Sequence, residues 1–182
     1  FGGHSDLLMG SITFRDIELR DRVRRVLRDL GIGVSPDEAA LVLRGTETMA
    51  VRVAHVGRVA REMAERISAF PAVEKVLHPA LADSPGHQLW KRDFSGSTGV
   101  FSVVMRSGCD AALNHALDSL KTFAIGASWG GTRSLVAPIN PAGERGAAAW
   151  PHPGPVIRVS IGLEAEADLW DDLASVFGVP MP

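Results

Sequence analysis

The stretch Gly126-Ala127-Ser128-Trp129-Gly130-Gly131 constrains this chain most. It follows a short apolar run, Phe123-Ala124-Ile125, that reads as the end of a buried strand. Paired glycines let a backbone take positive φ or approach another surface closely. Between them stand one small polar side chain and one large flat one. Either the loop is shaped around a ligand, or it is a strand-to-turn junction whose tryptophan belongs to the core.

The second constraint is Val156-Ile157-Arg158-Val159-Ser160-Ile161. Strand alternation puts Val156, Arg158 and Ser160 on one face and Ile157, Val159 and Ile161 on the other. Arg158 is the one charge in the run. Burying a guanidinium is costly unless a carboxylate or phosphate meets it. The alternative is an edge-strand arginine that reaches solvent.

Upstream, Leu7 to Phe14 reads as a buried strand broken at Gly10. Arg15 to Leu30 reads as an amphipathic helix with Leu19, Val23, Val26, Leu27 and Leu30 on one face. Its arginines Arg20, Arg24, Arg25 and Arg28 are interleaved with Asp16, Glu18, Asp21 and Asp29, which fits a solvated face better than an anion site. Ser35-Pro36-Asp37-Glu38 is a capping box with proline at the first helical position. The helix it starts is expected to run to about Arg44 and to break or bend at Gly45-Thr46-Glu47-Thr48. A second helix then continues to about Ser68, with Met49, Val53, Val56, Ala60, Met63 and Ile67 as its buried stripe. Its methionines read as core.

Strands are expected at Val73–Leu77, Gly99–Met105, Phe123–Ile125 and Val156–Ile161. Helices are expected at Ala111–Leu120, capped by Asp110, and at Glu164–Phe177, with Leu169, Leu173 and Val176 inward. Residues 78–98, rich in Pro, Gly, Ser and charge, read as a long loop with one helical turn, and residues 135–155 as another connection rich in Pro, Gly and Ala. The first holds His78, His87, Trp90, Lys91 and Arg92; two histidines without a clustered third ligand do not make a metal site, and no metal is expected. The order of elements predicts an α+β domain, a small antiparallel sheet with helices on one side. Residues 1–45 hold a strand without a sheet, so they read as the tail end of a larger domain upstream. Residues 46–182 form the C-terminal domain, with a linking helix at about 46–68.

The chain's 182 residues carry a net charge of −2, which argues against a nucleic-acid partner. No apolar run approaches a membrane span, and no secretory signal is expected. Cys109 is the single cysteine, so neither an internal disulfide nor a cysteine metal cluster is possible, and a cytoplasmic compartment fits. The chain opens on Phe1 rather than Met, so its N-terminus is expected to come from cleavage, truncation or an incomplete sequence.

Several pieces together carry a resemblance. They are Gly3-His4-Ser5-Asp6, Leu43-Arg44-Gly45-Thr46-Glu47-Thr48, His78-Pro79-Ala80-Leu81, Gly86-His87, Trp90-Lys91-Arg92-Asp93-Phe94-Ser95-Gly96, Ser128-Trp129-Gly130-Gly131 and Ile157 to Glu164. In this order, across nearly the whole chain, they resemble the C-terminal part of the Cys/Met-metabolism family of pyridoxal-phosphate enzymes. The Ser-Trp-Gly-Gly loop and the Trp-Lys-Arg-Asp-Phe run are similar to those of the bacterial cystathionine β-lyases.

The resemblance implies an α/β parent of fold type I, aminotransferase-like, and pyridoxal 5'-phosphate as its cofactor. It implies β-elimination of L-cystathionine to homocysteine, pyruvate and ammonia, in a cytoplasmic homotetramer. Arg158 matches the arginine that binds the substrate α-carboxylate, Ser128 the serine beside the cofactor lysine and that carboxylate, and Trp129 the adjacent aromatic wall. Ala127 departs from the pattern, because these β-lyases commonly carry tyrosine there. No catalytic residue is expected in the chain itself: aligning on Gly3-His4-Ser5-Asp6 puts the cofactor lysine just upstream of Phe1, and none of Lys75, Lys91 or Lys121 has the context to replace it. The groups that hold the cofactor are expected upstream or on a neighbouring subunit. A γ-lyase or γ-synthase reaction, or a non-catalytic assembly domain, are the alternatives.

Overall fold

The structure, a computed structural model, describes residues 1–144 and 149–181. The chain divides into two compact units, Phe1–Met49 and Ala50–Pro182.

In the first unit, helix α1 spans Ile17–Asp29, and the Asp16 side chain caps it by accepting the Leu19 N–H at 3.0 Å. Its apolar stripe is not buried within the unit; Leu30 is 67% exposed. The strand expected at Leu7–Phe14 is absent. The segment is irregular and Leu8 is 93% exposed, because no second strand in this unit offers it a ladder. Helix α2, Pro36–Ile67, begins at the predicted capping box. The Glu38 N–H donates to Ser35 Oγ at 3.1 Å, and the Ser35 N–H donates back to Glu38 Oε2 at 3.3 Å.

The break expected at Gly45 does not occur; α2 is continuous. A single helical glycine costs only about 1 kcal/mol, and here it has a packing role. A Cβ at Gly45 would lie 2.5 Å from the Gly2 carbonyl oxygen, so only glycine lets the opening segment cross the helix. The two threonines beside it satisfy their hydroxyls on helix carbonyls, Thr46 on Leu43 at 2.6 Å and Thr48 on Gly45 at 3.4 Å.

The second unit is built on a five-stranded sheet of β1 (Val73–Leu77), β2 (Val100–Met105), β3 (Ala124–Ile125), β4 (Leu135–Ile139) and β5 (Val156–Ser160), in the order β1-β2-β5-β4-β3. The pairs β1–β2, β2–β5 and β4–β5 are antiparallel, and the two-residue β3 adds to β4 in parallel. Strand β4 lies within what reads from sequence as a connection. Its Pro138 disguises it, since proline belongs at sheet edges. The position tolerates proline because β3 pairs only with Leu135 and Val136, leaving Pro138 without a neighbour on that side.

Helices α3 (His87–Asp93), α4 (Asp110–Asp118), α5 (Pro141–Glu144) and α6 (Glu166–Phe177) complete the unit. Asp110 is the first residue of α4 rather than its cap; Cys109 holds the cap position without a side-chain bond to the helix N–H groups, its Sγ donating instead to the Arg106 carbonyl at 3.0 Å. The C-terminal half of α2, with α4 and α6, covers one face of the sheet. Met63 and Ile67 of α2, Leu113 of α4 and Leu173 and Phe177 of α6 meet Phe101 and Val103 of β2 and Ile157 and Val159 of β5 in one core. Each such side chain contributes roughly 1.5–3 kcal/mol by leaving water. The α2 stripe is buried only from Val59 onward; Val53 is 44% exposed.

Candidate functional site

Arg158 lies on β5, the middle strand of the sheet, so it is not an edge arginine. The alternation read from sequence holds. Val159 faces the helical core, whereas Arg158 shares the opposite face with Ser160. The register places Ser102 of β2 and Ala137 of β4 beside Arg158. Both neighbours are small, so the long side chain has room to lie across the sheet.

Its head is held by the loop between β3 and β4. Arg158 Nη2 donates to the Ala127 carbonyl and, at 3.1 Å, to the Ser128 carbonyl. The guanidinium carbon stands 5.5 Å from the centre of the Trp129 ring, within cation–π range. Among the described residues no carboxylate pairs with Arg158, whereas Arg58 is held by both Glu62 and Glu166. Nε and Nη1 of Arg158 carry no bond within the described chain. A planar, permanently charged donor with its charge unneutralised is suited to a carboxylate ligand.

The structure therefore brings the three predicted residues together. Trp129 is 63% exposed, so it is no core tryptophan; it stands as a flat wall beside the guanidinium. Ser128 meets Arg158 through its main chain. The loop that carries both is fastened from outside. The Gly130 N–H donates to Ser160 Oγ at 3.1 Å. Ser134 donates its N–H and its hydroxyl to the two Glu164 oxygens, each at 2.7 Å, and Ser134 Oγ accepts the Gly162 N–H at 2.7 Å. At the loop's entry, buried Asp172 of α6 accepts the N–H groups of Lys121, Thr122 and Phe123, the last at 2.9 Å.

Pattern reading missed Asp172, Ser134 and the role of Ser160. Asp172 had one signal, an acid one position before Leu173 and three after Leu169 on the inner stripe of its helix. The histidines of the 78–98 segment are engaged elsewhere. His78 Nδ1 accepts the Ala80 N–H at 3.1 Å, and His87 Nδ1 bonds the Pro79 carbonyl at 3.1 Å. Among the described residues no three His, Cys, Asp or Glu side chains converge as metal ligands. No helix of the described chain is long and apolar enough to cross a membrane.

The fit to pyridoxal phosphate is partial. The site offers a cationic donor of the kind that suits a carboxylate, and an aromatic wall beside it. It offers no amine: Lys75 stands on β1, Lys91 on α3 and Lys121 at the turn after α4, none on β4, β5 or the Ser128–Trp129 loop.

Comparison with known proteins gives a consistent family. Residues 1–178 match the family described as Cys/Met metabolism PLP-dependent enzyme. A cystathionine beta-lyase of Bordetella avium is 42% identical over 175 residues, 95% of this chain and 44% of that protein. A cystathionine gamma-lyase of Rattus norvegicus is 34% identical over 188 residues, 99% of this chain and 46% of that protein. The solved cystathionine gamma synthase of Xanthomonas oryzae pv. oryzae in complex with cystathionine superposes with a TM-score of 0.86 at 33% identity, over 97% of this chain and 46% of that one. The chain thus spans a little under half the length of the relatives it matches. Their names divide between β-lyase, γ-lyase and γ-synthase.

Proposed function

The chain belongs to the Cys/Met metabolism family of PLP-dependent enzymes, and on that premise we propose that it is the C-terminal part of a carbon–sulfur lyase. The parent enzyme cleaves L-cystathionine by β-elimination to homocysteine, pyruvate and ammonia. Residues 1–45 are the end of its cofactor-binding domain, and residues 46–182 are its C-terminal domain. The observation that carries the reading is Arg158 itself: a guanidinium on the middle strand, steadied by two loop carbonyls and left without a carboxylate partner among the described residues.

The cofactor, when bound to the parent, supplies the electron sink for the reaction. The residues described here bind and orient. Arg158 holds the α-carboxylate of the amino-acid substrate through its charge and one of its unbonded donors, Nε or Nη1, which diverge on either side of Cδ, with Nη2 already committed to the loop. Fixing that end of the substrate decides which of its bonds meets the reacting groups, and orientation of this kind is a large part of catalysis. Trp129 closes one side and limits water around the ion pair, which strengthens it. Ser128 sets the loop backbone against the guanidinium and offers its hydroxyl to the same carboxylate.

Product analysis with the full-length enzyme and L-cystathionine tests the reading. Homocysteine with pyruvate is the expected pair. Cysteine with 2-oxobutyrate would assign the γ-lyase reaction instead.

A further inference from the structure

We propose that Ser160 is a positioning residue for substrate-carboxylate recognition: its buried hydroxyl fixes the Ser128–Trp129 loop and, through that loop, the guanidinium of Arg158. The inference rests on the reading of Arg158 as the carboxylate site.

Ser160 is two residues from Arg158 on the same face of β5, and it is 1% exposed. A hydroxyl buried that completely in a central strand needs a partner. Its partner is the Gly130 N–H at 3.1 Å. Gly130 has φ of +78°, a left-handed conformation, and it turns the loop immediately after Trp129. The bond therefore fixes the loop at the residue where its direction changes.

The topology explains why such a fixing point is needed. Strands β3 and β4 are parallel neighbours. Parallel strands are ordinarily joined by a crossover of about a dozen residues or more, usually a helix. Here residues 126–134 make the connection with no helix to steady them. The exit half is fastened by Ser134 to Glu164 and by the Leu163 N–H to the Thr132 carbonyl at 2.8 Å. The entry half, which bears Ser128 and Trp129, has two fastenings to β5: the bonds from Arg158 and the bond to Ser160. Arg158 cannot both hold the loop and be held by it unless something else defines the loop. The Gly126 N–H, on the Val136 carbonyl at 2.9 Å, fixes the start of the loop; beyond Trp129, Ser160 is the reference point.

The test uses the full-length holoenzyme, with Ser160→Ala, Ser160→Cys and Arg158→Ala made separately. Steady-state kinetics with L-cystathionine are measured beside hydrogen exchange of the 126–133 segment without substrate. Ser160→Ala is expected to raise KM about tenfold, the worth of one buried hydrogen bond, with kcat within about twofold. Exchange of the loop rises by a similar factor while β5 stays protected. Ser160→Cys, a weaker acceptor, falls between. A Ser160→Ala enzyme with unchanged KM and unchanged loop exchange overturns the proposal, and so does a fall in kcat at unchanged KM, the sign of a merely structural loss. If Arg158→Ala leaves KM unaltered, the carboxylate reading falls and the proposal falls with it. If Arg158→Ala is damaging and Ser160→Ala is silent, the proposal alone falls.

Discussion

Arg158 reaches Ser128 through the main chain: Nη2 stands 3.1 Å from the Ser128 carbonyl oxygen, and the serine hydroxyl takes no part in that bond. The loop thus holds the guanidinium with atoms that every residue possesses. Replacing Ser128 by alanine should leave Arg158 in place. In the full-length enzyme Ser128→Ala should cost no more than about tenfold in kcat/KM, the range of one lost hydrogen bond. A loss as large as that of Arg158→Ala would show that the hydroxyl carries the binding.

Asp172 anchors the other end of the same region. Its buried carboxylate accepts N–H groups of Lys121, Thr122 and Phe123, between 2.8 and 3.2 Å. Asp172→Ala strands the buried Phe123 donor and leaves those of Thr122 and exposed Lys121 to solvent. Leaving one buried polar group unpaired costs about 1–3 kcal/mol, and a loss in that range is expected. Urea denaturation should show the midpoint falling accordingly, with Asp172→Asn intermediate because the amide keeps one acceptor oxygen.

His78 gives stability a dependence on pH. Its imidazole is 1% exposed, its Nδ1 accepts the Ala80 N–H, and its buried Nε2 has no hydrogen-bond partner among the described residues. Burial, reinforced by nearby Arg61 and opposed by Glu65, holds its pKa below the ordinary 6.5. The unfolded chain therefore takes up this proton more readily than the folded one. The contribution is fully present above about pH 6.5 and is lost as pH falls from there through the lower folded value. His78→Gln, which keeps an acceptor, should flatten the stability profile below that pH. An unchanged slope would show that His78 is not the group titrating.

Gly45 sets two effects against each other. Helix propensity alone favours Gly45→Ala by about 1 kcal/mol. The Gly2 backbone opposes it, since the new Cβ would lie 2.5 Å from one atom of Gly2 and 2.7 Å from another. Backbone contacts that close cannot relax by turning a side chain, so sterics should win. Faster proteolysis of residues 1–10 in the variant is the expected result; increased protection would reverse the assignment.

What was legible in the sequence was local or periodic. The Ser35–Glu38 cap needs only four neighbouring residues, and it stands as read. The alternation of β5 put Arg158 and Ser160 on one face before any partner strand was known. What escaped has non-local causes. Strand β4 carries Pro138, which reads as a breaker until one sees that β3 stops short of it. Leu7–Phe14 has a strand's apolar content, but a strand needs a neighbour, and Leu8 and Ile12 stay 93% and 65% exposed. Gly45 looked like a stop because the residue it accommodates, Gly2, lies far away along the chain. The bonds from Gly130 to Ser160 and from Ser134 to Glu164 each span about thirty positions, beyond any periodicity. Family resemblance named Arg158, Ser128 and Trp129; only the fold showed how they are held.

The most direct measurement is the steady-state kinetics of Arg158→Ala in the full-length enzyme with L-cystathionine. Loss of a charged, planar donor to a carboxylate should lower kcat/KM by at least about a hundredfold, carried chiefly by KM. A kcat/KM within about twofold of the unaltered enzyme would contradict the account, because Arg158 could not then be the group that holds the substrate.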